Sequence, residues 1–203
     1  MYHLVEGLQV PASLAGEAAL EICNTRAGWG EASPKEYLRS YEHLVVWARE
    51  KGLVGRAASA TLRDRARDEP GRAAAVLRQA LTFRDAYYRV LVGTPAPRHR
   101  EVVAGVAERA SRLRRLSTEA GRTQWRLDEE RAGLLLPLLA VGLAAGDWLC
   151  RAEPGSAAAC PGTGCGWVFA DPSRRRRWCS MAACGNRAKA RRHAVRARTG
   201  TQG

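Results

Sequence analysis

The sequence predicts an α+β chain: a mostly helical N-terminal domain with short strands, followed by a small C-terminal module of treble-clef-like form. Three observations carry this. Apolar residues recur at helical spacing over long stretches of the first 150 residues. Four of the six cysteines fall in two pairs of equal spacing near the C-terminus, and the basic charge gathers around the second pair. With 203 residues, 46 % of them hydrophobic, the chain has room for one ordinary domain with a real core plus an appendage.

The elements follow in chain order. Tyr2, Leu4 and Val5, then Leu8 and Val10, flank Gly7 and predict a small hairpin. The run from Ala18 to Thr25 is compatible with strand or helix. Ser33-Pro34 predicts a helix start, and Tyr37, Leu38, Tyr41, Leu44, Val45 and Ala48 carry the period to Gly52. A second helix is expected from Pro70 to Gly93 and a third from Pro97 to Leu113. Arg114 to Leu127 reads as a hairpin turning at Ala120-Gly121-Arg122, and Glu129 to Cys150 as a buried apolar helix at the centre of the domain. The stretch 151–158, with Glu153-Pro154-Gly155-Ser156, has linker chemistry, which divides the chain into 1–150, a linker, and 159–203.

Cys160 and Cys165 have four residues between them, as do Cys179 and Cys184. Two short loops that each offer a pair of thiolates meet the tetrahedral demand of Zn²⁺, and four Cys ligands leave no open position for water, so one structural zinc is expected. Cys23 and Cys150 stand alone, so a disulfide framework is not indicated. Pro161, Gly162 and Gly164 let the first loop bend. Trp167 to Ala170 is then expected to pair with Arg176 to Cys179 as a hairpin, and Asn186 to cap a C-terminal helix. Knuckle, hairpin and helix in that order give the treble clef.

Residues 171–203 hold ten Lys or Arg against the single acid Asp171, out of a whole-chain charge of +13. That concentration points to a polyanion. The candidate contacts are Arg174, Arg175, Arg176 and Arg177 at the hairpin tip, with Asn186, Arg187, Lys189, Arg191, Arg192 and Arg196 along the helix. DNA is the first expected partner, with RNA or the ribosome as the alternative. Met1 to Leu20 carries Glu6 and Glu17 and no long apolar stretch, unlike a secretory leader. The run Leu134 to Ala145 contains Pro137 and Gly142 and falls short of the ~20 residues that span a bilayer. A cytoplasmic protein without membrane contact is expected. The first 150 residues offer no nucleophile with a paired base, no phosphate loop and no metal-binding His pair, so no enzymatic activity is expected.

The segment from Cys160 to Phe169, with Arg177-Trp178-Cys179 and the run Cys184-Gly185-Asn186-Arg187, closely resembles the CGNR zinc-finger family. Leu20-Glu21-Ile22-Cys23-Asn24-Thr25-Arg26 and Leu44 to Leu53 make the N-terminal part similar to the ABATE domain, with Glu21 where that family more often has Asp. The resemblance implies a bacterial transcription regulator linked to stress, zinc held by Cys160, Cys165, Cys179 and Cys184, and a DNA-binding treble clef. In a DNA-binding regulator the N-terminal domain is expected to sense a small molecule or to dimerise. Asn24, Thr25 and Arg26 are the candidate ligand-binding residues there. Their alternative role is to satisfy backbone groups at the end of an element.

Overall fold

A computed structural model describes residues 1–119 and 121–199. Ala120, at the expected turn, and residues 200–203, at the end of the expected second domain, lie outside the described residues. The chain opens on the antiparallel hairpin β1 (Tyr2–Val5) and β2 (Leu8–Pro11), turned at Glu6-Gly7. The ambiguous run after it resolves as a short helix α1 (Ala18–Glu21) and a 3-10 turn over Cys23–Thr25, both buried. Strand β3 (Arg26–Ala27) pairs with β4 (Lys35–Glu36).

That pairing corrects the expected helix start. Ser33-Pro34 belongs to the loop between β3 and β4, and helix α2 (Tyr41–Glu50) begins after Ser40, whose hydroxyl accepts from the His43 N–H. Helix α3 (Arg56–Asp68) follows, then α4 (Pro70–Val92) and α5 (Pro97–Arg112), the last two with proline in the first turn where no N–H is needed. The hairpin β5 (Arg114–Glu119) and β6 (Arg122–Leu127) lies where expected. The apolar stretch beyond it is broken: α6 (Glu129–Ala132) ends at Gly133, whose φ of 52° is left-handed, and α7 (Leu136–Arg151) starts afresh after a 3-10 turn.

By length and composition Glu129–Arg151 passes for a membrane span, yet 56 % of its apolar window is buried in the protein. Leu138, Leu139, Val141 and Ala145 of α7 meet Val103 and Ala110 of α5, Phe83 and Tyr87 of α4, and Leu44 and Trp47 of α2 in one core. Tyr41 donates its hydroxyl to the Leu134 carbonyl at 2.7 Å, which fixes the broken corner to α2.

The C-terminal part adds strands β7 (Ala157–Ala159) and β8 (Val168–Ala170), a wide five-residue π turn over Met181–Gly185, and helix α8 (Asn186–Thr199). The partner of β8 differs from expectation. It pairs antiparallel with β7, Ala159 opposite Val168, while Arg176 to Cys179 forms no strand. The first cysteine pair therefore sits at the tip of β7–β8, and β7 begins inside the stretch whose composition suggests a linker. Asn186 does not cap α8 either. Ser180 accepts from the Ala183 N–H at the head of the π turn, and Asn186, already helical, donates to the Ala182 carbonyl.

Candidate zinc centre and the basic surface around it

The knuckle is built by backbone before any metal is considered. The Cys160 N–H donates to the Trp167 carbonyl at 2.8 Å and the Cys165 N–H to the Gly162 carbonyl at 2.9 Å, which closes a tight loop and turns both side chains to one side. Cys179 and Cys184 arrive from the loop before the π turn and from within it. All four are buried, and their sulfurs lie within 4.8 Å of one another.

The spacing fits a zinc ion. Sulfurs at 2.3 Å from a tetrahedral centre stand about 3.8 Å apart, and Cys179 Sγ lies 3.6 Å from both Cys165 Sγ and Cys184 Sγ, far beyond a disulfide bond. Four thiols this close also compete for charge. Hydrogen bonds from Cys165 and Cys179 pull Cys160 far below the usual thiol range, and the contact with Cys160 pushes Cys165 up to about 12 and Cys179 higher still. A dication bound by four thiolates resolves that conflict, which is what the donor set asks for. The chain thus holds a site for one structural zinc in Cys160, Cys165, Cys179 and Cys184.

Beyond the sulfurs, Arg187 donates from Nη2 to Cys184 Sγ at 3.0 Å, and that contact raises the guanidinium's pKa. A zinc–tetrathiolate centre carries two negative charges, and Arg187 sets a positive one against them. Gly162 runs close over the site: a Cβ there would lie 3.0 Å from Cys184 Sγ.

The arginines of the 171–180 loop divide into two groups. Asp171 is buried and its carboxylate accepts from the N–H groups of Arg175 and Arg176 at 3.0 and 2.9 Å, holding the loop closed. Arg176, though exposed, folds back across it, donating to the carbonyls of Trp178, Cys179 and Leu14 with its guanidinium 4.4 Å from the Phe169 ring centre. Arg174, with φ of 54°, donates to the Pro154 carbonyl. These two side chains staple the loop. Arg175 and Arg177 are exposed as well, like the two that staple the loop, and Arg177 holds its guanidinium 5.2 Å from the Trp178 ring centre. On α8 every residue from Lys189 to Arg196 is exposed, which brings Lys189, Arg191, Arg192 and Arg196 together on one projecting helix.

Of Asn24, Thr25 and Arg26, the first is joined to the zinc module, while the other two are engaged within the N-terminal part. Asn24 is fully buried, and its amide grips β8 on both sides: Oδ1 accepts from the Val168 N–H at 2.7 Å and Nδ2 donates to the Val168 carbonyl at 3.0 Å. Glu21 sets that amide, its carboxylate accepting from Asn24 Nδ2 and from the Ala15 N–H at 2.7 Å. Ala15 in turn accepts from the Ala170 N–H through its carbonyl. Burial raises the Glu21 carboxyl, an effect opposed by the Ala15 N–H and by Lys51. Thr25 donates to the Ile22 carbonyl and accepts from Arg84. Arg84 is buried with Glu36 at 2.7 Å and Asp85 at 2.9 Å. Arg26 pairs with Asp85 at 3.2 Å.

The seam has a second half that no motif or spacing announces. The Cys165 carbonyl accepts from the N–H groups of Gly28 and Trp29, Glu31 accepts from the Gly164 N–H, and Tyr37 meets Trp167 edge-on. Trp29 stacks on Tyr88 at 3.8 Å and closes over Gly166. Gly166 has φ of 70°, and a Cβ on it would stand 2.7 Å from the Trp29 Cβ. Gly166→Ala combines a left-handed residue with a clash at the seam, each costing about 1–3 kcal/mol. Its thermal unfolding midpoint is expected to fall by several degrees.

Two family models match the chain in succession. That of the ABATE family, described as "Putative stress-induced transcription regulator", matches residues 16–152, and that of the CGNR zinc finger matches residues 157–198. A search of curated proteins gives no match.

Proposed function

Because the chain belongs to the ABATE family and carries a CGNR zinc finger, we propose that it is a cytoplasmic, non-enzymatic transcription regulator that binds DNA through helix α8 and the loop before it. One observation carries the reading. Lys189, Arg192 and Arg196 recur three and four residues apart, with Arg191 between them, on a helix exposed from Lys189 to Arg196. Like charges at that spacing destabilise a helix, and a helix of 14 residues is marginal alone. The zinc-clamped turn supplies a nucleus for α8, and a row of phosphates would remove the repulsion along it.

The zinc site is structural in this scheme: it fixes where α8 starts and where it points. Asn186, at the head of the helix, and Arg175 and Arg177, in the loop before it, are exposed as well and join the proposed contacts. Arg187 serves the zinc site as well as the charge, so Arg191 and Arg192 are the cleaner test. With the zinc-loaded full chain, Arg191→Ala/Arg192→Ala is expected to weaken binding to all duplexes alike. It should also flatten the dependence of log K on log salt by about 2, near 0.9 for each phosphate no longer neutralised. Mobility shifts at physiological salt that show no binding beyond that of a scrambled basic peptide would sink the proposal. Competition by structured RNA over duplex DNA would move it to the RNA alternative.

A further inference from the structure

The ribbon β5–β6 lies apart from the zinc module in the sequence, and the proposed function does not use it. Every residue of β6 from Arg122 to Arg126 is exposed, on both of its alternating faces, so this strand stands clear of the core. One face carries Leu116 opposite Trp125, exposed at 60 % and 58 %, with the Arg114 guanidinium 5.1 Å from the Trp125 ring centre and the hydroxyls of Thr118 and Thr123 at 2.9 Å. Cross-strand pairs of this kind stabilise a two-stranded ribbon that is otherwise marginal in water. That face supports the ribbon itself.

The other face sets Arg115 directly opposite Arg126, Ser117 opposite Gln124 and, next to the turn, Glu119 opposite Arg122. Gln124, with its amide oxygen turned to Arg126, accepts from that guanidinium at 2.7 and 3.1 Å, which holds both groups in a fixed array. Over residues 114–127 the sequence has four arginines and one acid. The side chains on this face are those that hydrogen-bond base edges, and a two-stranded ribbon has the width of the major groove.

We propose that the β5–β6 ribbon is a second DNA contact, its Arg115–Ser117–Gln124–Arg126 face seated in the major groove of a duplex. The inference rests on the reading that this protein binds DNA. The test uses the zinc-loaded full chain and fluorescein-labelled duplex DNA of mixed sequence, with one of its strands alone as comparison, followed by anisotropy across a salt series. Arg115→Gln/Arg126→Gln is expected to raise Kd for the duplex about ten-fold and to flatten the salt slope by about 2, with zinc content and thermal midpoint unchanged. Arg115→Glu alone serves as a second variant and is expected to weaken binding at least as much.

Unchanged Kd and slope in the ribbon variants, while Arg191→Ala/Arg192→Ala still loses affinity, would overturn the ribbon contact and leave the role of α8 standing. A loss confined to the single strand would overturn the groove assignment. A wild-type protein that binds no duplex would remove both. Sedimentation of Leu116→Ala/Trp125→Ala decides the remaining case. A dimer turned into monomer by that variant, with duplex binding insensitive to Arg115 and Arg126, would make the ribbon a contact between copies and overturn the proposal.

Discussion

Cys184→Ser is expected to leave the purified chain without a full equivalent of zinc and to unfold the segment from Cys160 onward. Metal binding supplies on the order of 10 kcal/mol to structural sites of this kind. The module it holds has two three-residue strands, a helix exposed from Lys189 to Arg196 and the seam to the N-terminal part to set against that loss. Metal analysis with hydrogen exchange over residues 160–199 reads the result. The loss should extend to the proposed DNA binding and to Arg187, whose contact is with Cys184 itself. A variant that kept one zinc per chain and the wild-type midpoint would refute the four-thiolate site.

Asn24→Ala is expected to be the most damaging substitution outside the zinc ligands. It deletes both hydrogen bonds to Val168 and leaves a buried N–H and a buried carbonyl without partners. At about 1–3 kcal/mol for each unsatisfied group, the loss is about 2–6 kcal/mol. Chemical denaturation measures it, and a loss below about 1 kcal/mol would mean that β8 is held elsewhere. Asn24→Asp separates geometry from charge. A carboxylate still accepts from the Val168 N–H but cannot donate to its carbonyl, and it faces Glu21, whose carboxyl burial has already raised. An acid with a raised folded pKa contributes stability below its unfolded pKa, and that stability is lost as pH rises through the folded value. The deficit of Asn24→Asp against wild type is therefore expected to be smallest in mild acid and to widen toward neutral pH.

What is legible in the sequence is mostly local. The cysteine spacing indicates the zinc site because both pairs are short loops, and Gly121 with its flanking residues locates the β5–β6 hairpin. Helices α4 and α5 show through their apolar period and their leading prolines. Helix α3 does not, since only Ala58, Ser59 and Leu62 are buried among its charged residues. The partner of β8 escapes a reading by pattern because Ala157, Ala158 and Ala159 alternate in nothing a periodicity can register. Ser33-Pro34 has the chemistry of a helix start, but pairing of Glu36 with Arg26 overrides it. Among the basic residues, composition cannot tell Arg176, folded onto Phe169 and three carbonyls, from Arg175 beside it. Asn24 and Thr25 carry two readings from sequence alone, and the partner that decides for Asn24 is a strand 144 residues away.

That separation also has a consequence for how the chain comes into being. Synthesis delivers residues 1–152 before Val168 exists, so for that interval Asn24 keeps Glu21 as a partner and lacks the strand that its amide holds. Closure of the core therefore waits on a strand made more than a hundred residues after the amide that receives it.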